Sequence, residues 1–212
     1  MELFSPFGPF IGKTTVSELF LNAVAERGDD IRDSLPYIRE SHDYRSQLAG
    51  NIAEEYTFEE TFLESKGLDT EIKVAVTQYL ASVSRAIQRD VVIPFEYMKL
   101  SEMWINYMKK GEWNPRHNHA GQVSLVIFLK VPEEIAAENT TEESVKKSNS
   151  PTSGKLQFSY GEHMKLSSST FNVTPKEGDV YLFPSALYHQ VYPFISNTER
   201  VSVSLNIHRS ED

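Results

Sequence analysis

The chain has 212 residues, a formal net charge of −9 and no cysteine. Its length suits one domain, or one domain with a helical annex, and its 40% of hydrophobic residues can form a core. The acidic balance argues against a binding surface for nucleic acid or anionic membranes, and the lack of cysteine excludes disulfides, thiolate metal ligands and a cysteine nucleophile.

Neither a membrane span nor a secretory signal is evident in the sequence. No stretch approaches the roughly 20 apolar residues that a membrane span requires. The N-terminus does not show a basic region followed by an apolar one, as a secretory signal would. We therefore expect a cytoplasmic protein with no membrane contact.

Residues 1–90 are predicted to form a helical region that packs on the rest of the fold. The clearest helix carries apolar side chains at steps of three and four, which place them in one stripe on the helix surface. The residues of this stripe are Ile72, Val76, Tyr79, Leu80, Val83 and Ile87.

Residues 91–212 change to a period of two, which is typical of β-strands. Strand-like runs cover residues 96–108, 122–131, 155–160, 179–183 and 200–208. The stretch at about 132–154 is polar and rich in Glu, Lys, Ser and Thr. We expect it to be a long, mobile connection between adjacent strands, either a lid or an insertion.

The last strand alternates cleanly between polar and apolar residues. One face carries Arg200, Ser202, Ser204, Asn206 and His208, and the other carries Val201, Val203, Leu205 and Ile207. Such alternation is ordinary in an edge strand of a half-exposed sheet. In the competing interpretation the apolar face packs under the N-terminal helices. The polar face then looks into the fold, where an arginine and serines could hold a dicarboxylate.

Three histidines indicate a metal site. Residues i and i+2 of an extended strand point to the same side, so His117 and His119 could present two ring nitrogens to one ion. His189 follows a glycine-led turn, a short apolar strand and a Pro-Ser break, so a third ligand could arrive from another strand. Without cysteine, His, Asp and Glu are the metal ligands that the chain can offer.

Several short motifs, in their order and spacing, resemble a family of 2-oxoglutarate/Fe(II)-dependent oxygenases. They are Trp104-Ile105-Asn106, Lys110-Gly111-Glu112, His117-Asn118-His119, the strand ending at Pro132, Gly178-Asp179, Phe183-Pro184-Ser185, His189 and Arg200-Val201-Ser202. The resemblance covers about residues 104–207. It implies a mainly β fold with N-terminal helices, built as a double-stranded β-helix or jelly-roll barrel over residues 91–212.

The resemblance also implies a role for each site residue. His117, His119 and His189 would bind Fe(II), and Arg200 would pair with the distal carboxylate of 2-oxoglutarate. Ser202 would add a hydroxyl donor. We place Asn106 with the residues that bind this co-substrate. The alternative for Asn106, Trp104 and Gln190, which could all line the pocket, is that they simply pack and cap. The implied activity is that of a dioxygenase, a hydroxylase that consumes O2 and 2-oxoglutarate, on a primary substrate that the motifs do not specify.

One departure from the wider superfamily keeps two alternatives open. His119 occupies the place where a carboxylate usually completes a set of two histidines and one acid. The chain could therefore be a non-catalytic metal-binding barrel, or a cupin-type enzyme with three histidines and no 2-oxoglutarate. Arg200 and Ser202 discriminate between these functions, because only a 2-oxoglutarate enzyme needs a cation at that position.

Overall fold

The computed structural model describes residues 8–210, so the first seven residues of the predicted helical region lie outside it. In this part of the chain the fold is mainly β, with two antiparallel sheets. The six-stranded sheet contains β1 (Gly12–Thr15), β2 (Glu55–Thr57), β3 (Met98–Lys109), β5 (Val123–Lys130), β8 (Asp179–Pro184) and β10 (Glu199–Arg209). The four-stranded sheet contains β4 (Asn114–His117), β6 (Leu156–Ser159), β7 (Thr170–Val173) and β9 (Tyr188–Val191).

The strand order is β1-β8-β5-β10-β3-β2 in the larger sheet and β4-β9-β6-β7 in the smaller one. The helices are α1 (Glu18–Asp33), α2 (Pro36–Ser41), α3 (Phe62–Ser65), α4 (Asp69–Ile87), α5 (Glu133–Thr141) and α6 (Glu143–Lys146). Within residues 8–210, none of these helices has both the length and the apolar character needed to cross a bilayer.

The main core lies between the N-terminal helices and one face of the six-stranded sheet. Helix α1 contributes Phe20, Val24 and Ile31, and α4 contributes Ile72, Val76, Tyr79 and Leu80. The predicted stripe is confirmed as far as Val83, which packs at the edge of this core, but Ile87 is 40% exposed because α4 ends there. Burying each such side chain contributes on the order of 1.5–3 kcal/mol.

Strand β10 lies in the middle of the larger sheet, hydrogen-bonded to β3 on one side and β5 on the other. The edge-strand interpretation is therefore wrong. Its apolar residues from Val201 to Ile207 all belong to the helix-covered core. The polar residues Arg200, Ser202, Ser204 and Asn206 line a cavity on the opposite face, so the strand orientation of the second interpretation is confirmed.

The opposite face of the larger sheet packs against the smaller sheet through a second core. Phe128 of β5 and Phe183 of β8 meet Leu156 and Phe158 of β6 there. The cavity lined by β10 has walls from both sheets, since His189 and Val191 of β9 also contribute to it. The two sheets thus face each other and enclose the cavity between them.

The predicted helical region also contains β1 and β2, which form the two edges of the larger sheet. The prediction for the connection at residues 132–154 is wrong. Residues 132–154 do not link adjacent strands, since β5 and β6 belong to different sheets, and they contain α5 and α6. Helix α5 buries Ile135 and Glu138. One large apolar side chain in a polar stretch carries no helical periodicity, so the pattern could not reveal this helix.

Helix α1 approaches β3 so closely at Gly28 that we expect Gly28→Ala to destabilise the protein by about 1–3 kcal/mol. A Cβ at this position would lie 2.4 Å from Cδ1 of Ile105 and 2.8 Å from the hydroxyl of Tyr107. Urea unfolding measures the change in free energy. Helix propensity alone predicts the opposite sign, a gain of about 1 kcal/mol, so a stabilised variant would contradict the close approach.

Candidate metal centre

Two neighbouring strands and one turn bring the three histidines together. His117 ends β4 and is the direct cross-strand partner of His189 in β9. His119 lies beyond the end of β4, so strand alternation does not place it as the sequence pattern suggested. Its backbone N–H instead donates to the carbonyl of Ser185 at 2.9 Å. This hydrogen bond holds the residues after β4 against the residue that follows β8.

The three imidazoles converge on one point. One ring nitrogen from each lies within 4.8 Å of the others. The Nε2 atoms of His119 and His189 are 3.2 Å apart. With metal–nitrogen bonds of about 2.1 Å, two ligands of one ion lie about 3.0 to 3.4 Å apart. The spacing of this pair therefore fits a shared ion.

Hydrogen bonds fix which nitrogen of two rings can bind a metal. Nδ1 of His117 donates to the carbonyl of Pro115 at 2.7 Å, and Nδ1 of His189 donates to the carbonyl of Leu187 at 2.9 Å. Each ring then directs the lone pair of Nε2 away from these bonds and toward the cluster. Second partners of this kind are typical of metal-binding histidines, whose orientation they set.

Burial keeps the three rings neutral. Burial lowers the pKa of His117, and burial together with the neighbouring imidazoles lowers the pKa of His119 to about 4 and that of His189 to about 3. Near neutral pH the rings thus carry free lone pairs, as metal binding requires. Trp104 lies against His119 and Phe183 against His189, with ring centroids 5.4 and 4.8 Å apart. These aromatic rings shield the cluster from water.

Arg200 enters the same cavity as a buried cation, with only 2% of its surface exposed. Its Nη1 donates to the carbonyl of Gly154 at 3.0 Å and its Nη2 contacts Sδ of Met108 at 2.8 Å, while Nε has no partner among the described residues. Burial lowers its pKa to about 10, which still leaves it charged near neutral pH. A buried guanidinium without a carboxylate partner is costly unless an anion binds to it.

The other predicted residues also reach the cavity, with one exception. Ser202 and Asn106 are cross-strand partners on β10 and β3, and both line the cavity with Trp104. Oδ1 of Asn106 is buried without a partner among residues 8–210. Gln190 points away from the cavity, because strand alternation opposes it to His189, and its amide donates to Gln157 at 2.9 Å.

Two groups near the cavity were missed by sequence reasoning. Oγ of Ser124 lies 2.9 Å from Oγ of Ser185 and 2.7 Å from Oδ1 of Asn206, a network that joins β5, β10 and the residue just after β8. Glu55 is the cross-strand partner of Asn106, and burial raises the pKa of its carboxyl to about 8. Its three-residue strand inside a helical region offers too short a pattern to be recognised.

The sequence matches the model of a known protein family. The model of a family described as "Putative 2OG-Fe(II) oxygenase" matches residues 102–206, the part that carries β3 through most of β10. No curated protein matches the sequence. The family match covers all six residues that the motifs assigned to the metal and the co-substrate.

Solved structures of similar fold include enzymes with 2-oxoglutarate chemistry. The viral collagen prolyl hydroxylase of Paramecium Bursaria Chlorella virus-1 is 13% identical, with a TM-score of 0.55 over 96% of this chain and 98% of its own. The carbocyclase SnoK from nogalamycin biosynthesis is 12% identical, with a TM-score of 0.57 over 95% and 80% of the two chains. A Pseudomonas putida prolyl-4-hydroxylase is 18% identical, with a TM-score of 0.51 over 95% and 93%. At these identities the likeness concerns the fold.

Proposed function

We propose that this chain, whose residues 102–206 match the model of the 2-oxoglutarate/Fe(II) oxygenase family, is a hydroxylase whose iron is held by His117, His119 and His189. The observation that carries the proposal is Arg200, a buried cation with no carboxylate partner among residues 8–210, in the cavity that contains the three imidazoles. A cupin-type site without 2-oxoglutarate, or an inert barrel, would leave this charge without an anion.

The residues present fit both groups that the family uses. Three neutral imidazoles suit Fe(II), since nitrogen donors bind it well and add no charge. Fe(II) and Arg200 together would place three positive charges in one cavity, and a dicarboxylate co-substrate offsets two of them. When bound, Fe(II), 2-oxoglutarate and O2 supply the oxidising chemistry, and the protein orients and shields it.

Each side chain has a distinct part in this proposal. The carbonyls of Pro115 and Leu187 hold the rings of His117 and His189 so that their Nε2 atoms face the ion. Arg200 binds the distal carboxylate, because its planar fork matches the two oxygens, and Ser202 and Asn106 line the path between. The aromatic rings around the cluster exclude water from the reacting centre.

The fold is part of the proposal. Two facing antiparallel sheets with a cavity between them are the arrangement that a double-stranded β-helix would have. We also propose that residues 91–212 form the oxygenase domain and that residues 1–90 form a helical support. Strands β1 and β2 of the support complete the two edges of the larger sheet, and α1 and α4 cover its outer face.

Turnover of 2-oxoglutarate tests the activity without knowledge of the primary substrate. We expect purified protein with Fe(II) and 2-oxoglutarate to form succinate in air, through slow turnover uncoupled from substrate. Omitting Fe(II), or excluding O2, should remove the succinate signal. If succinate appears at the same rate under argon, or without iron, the oxygenase assignment would be wrong.

His119→Asp is expected to retain Fe(II), because aspartate restores the commoner set of two histidines and one carboxylate. His119→Ala, which leaves no ligand atom at this position, is the matched control. It should bind iron less tightly than the wild type and His119→Asp. Elemental analysis after anaerobic loading gives the bound metal, and circular dichroism reports the fold. Loss of iron from folded His119→Asp to the level of His119→Ala would show that the site requires imidazole.

A further inference from the structure

The buried carboxylate of Glu138 lies in α5, in the segment predicted as a mobile connection. Only 2% of its surface is exposed. It accepts hydrogen bonds from the backbone N–H groups of Ile195 at 3.0 Å and Ser196 at 2.7 Å, and from the hydroxyls of Ser153 and Ser196. These donors hold the pKa of the carboxyl below its ordinary value, so it is a bound anion near neutral pH.

The donors belong to two segments that both lead to Arg200. Ser153 precedes Gly154, whose carbonyl accepts from Nη1 of Arg200 at 3.0 Å. Ser196 lies in the loop that enters β10, four residues before Arg200. The two segments also join directly, since the N–H of Gly154 donates to the carbonyl of Pro193 at 3.0 Å. Glu138 therefore binds both segments that flank the guanidinium of Arg200, the one at Ser153 and the one at Ser196.

The packing of α5 on this turn leaves little freedom. A Cβ on Gly154 would lie 2.1 Å from Cγ2 of Ile135, and the residue has a φ of +65°. The side-chain amide of Asn139 donates to the carbonyl of Ser153 at 2.9 Å. One turn of helix α5 thus packs against Gly154. This packing holds the Gly154 carbonyl in position to accept the hydrogen bond from the guanidinium of Arg200.

We propose that Glu138 is a positioning residue for 2-oxoglutarate, and that the main role of α5 is to hold the guanidinium of Arg200 in place rather than to connect two strands. The inference rests on the proposed function, because it assumes that Arg200 binds the distal carboxylate. Of the five N–H donors of Arg200, one is bound to an oxygen among the described residues. The direction of the guanidinium thus depends on the Gly154 carbonyl beside the contact with Met108, and through that carbonyl on Glu138.

The test is the affinity of the Mn(II)-loaded protein for 2-oxoglutarate, measured by anaerobic calorimetry. Glu138→Gln keeps the size of the side chain but replaces one accepting oxygen by an NH2 group, which cannot accept a hydrogen bond from the donors around it. We expect it to weaken 2-oxoglutarate about tenfold, a loss typical of partners that orient a binding group, while the Kd for Mn(II) stays within about twofold. Glu134→Gln, the same change on an exposed residue one turn earlier, is the matched control and should change neither Kd.

A double-mutant cycle separates positioning from general damage. If Glu138 acts through Arg200, Glu138→Gln should cost little further affinity in the Arg200→Ala background. Ser153→Ala is a milder second variant, which removes one hydroxyl donor and should give a smaller loss of the same kind. Unchanged 2-oxoglutarate affinity in folded Glu138→Gln and Ser153→Ala, or an equal loss with and without Arg200, would overturn the inference. Failure of the wild type to bind 2-oxoglutarate would instead overturn the proposed function.

Discussion

His117→Ala and His189→Ala are each expected to weaken Fe(II) binding by more than about 100-fold, because even partners outside the ligand set cost 10–100-fold when lost. Two of three converging nitrogens remain in each variant, and no cysteine or neighbouring carboxylate completes the described cluster. Together with that of His119→Ala, this effect should be the largest of any single substitution in the cavity.

Anaerobic loading followed by elemental analysis measures the bound iron, and circular dichroism checks the fold. His163→Ala is the matched control, since His163 is exposed and far along the chain from the cluster. His189 is buried among Phe183 and Phe158, so its truncation should also lower the thermal midpoint. Undiminished iron in either cavity variant would remove that residue from the ligand set.

Arg200→Ala is expected to weaken 2-oxoglutarate by about 30-fold or more. Truncating one partner of a buried charge pair costs on the order of 2–5 kcal/mol, and each 1.4 kcal/mol corresponds to about tenfold in affinity. Fe(II) binding should hardly change, because Arg200 contributes no ligand atom to the cluster. Calorimetric titration of the anaerobic Mn(II) form gives both constants.

Arg200→Lys distinguishes charge from shape at the same position. An ammonium keeps the positive charge but lacks the planar fork that matches two carboxylate oxygens, so it should recover only part of the lost affinity. The carbonyl of Gly154 would remain to orient it. If 2-oxoglutarate binds equally well to wild type, Arg200→Ala and Arg200→Lys, the cation has no part in co-substrate binding.

The sequence predicted those parts of the fold in which long elements repeat a clear period. The 11 residues of β10 and the 19 residues of α4 each bury a face that the alternation or the helical stripe had marked. It also predicted which residues meet in the cavity, since the six assigned positions all line it. The order of short motifs carried that information, and no single histidine did.

The features that could not be predicted are short or depend on distant contacts. Strand β2 has three residues and occurs between helices, so nothing marks Glu55 as a neighbour of Asn106. Glu138 lies among exposed acidic residues and is buried only because serine and backbone donors meet it across the fold. His119 lies beyond its strand, held by a backbone hydrogen bond to Ser185 that the sequence does not reveal.

The central claim is that one cavity holds Fe(II) and 2-oxoglutarate together. Anaerobic titration of the wild type with Fe(II), with and without 2-oxoglutarate, tests it most directly. Because binding coupling is reciprocal, the dicarboxylate that offsets the charges of the ion and of Arg200 should tighten Fe(II) binding, and iron should tighten 2-oxoglutarate binding by the same factor. Equal Fe(II) affinity with and without 2-oxoglutarate, or no iron binding at all, would contradict the account.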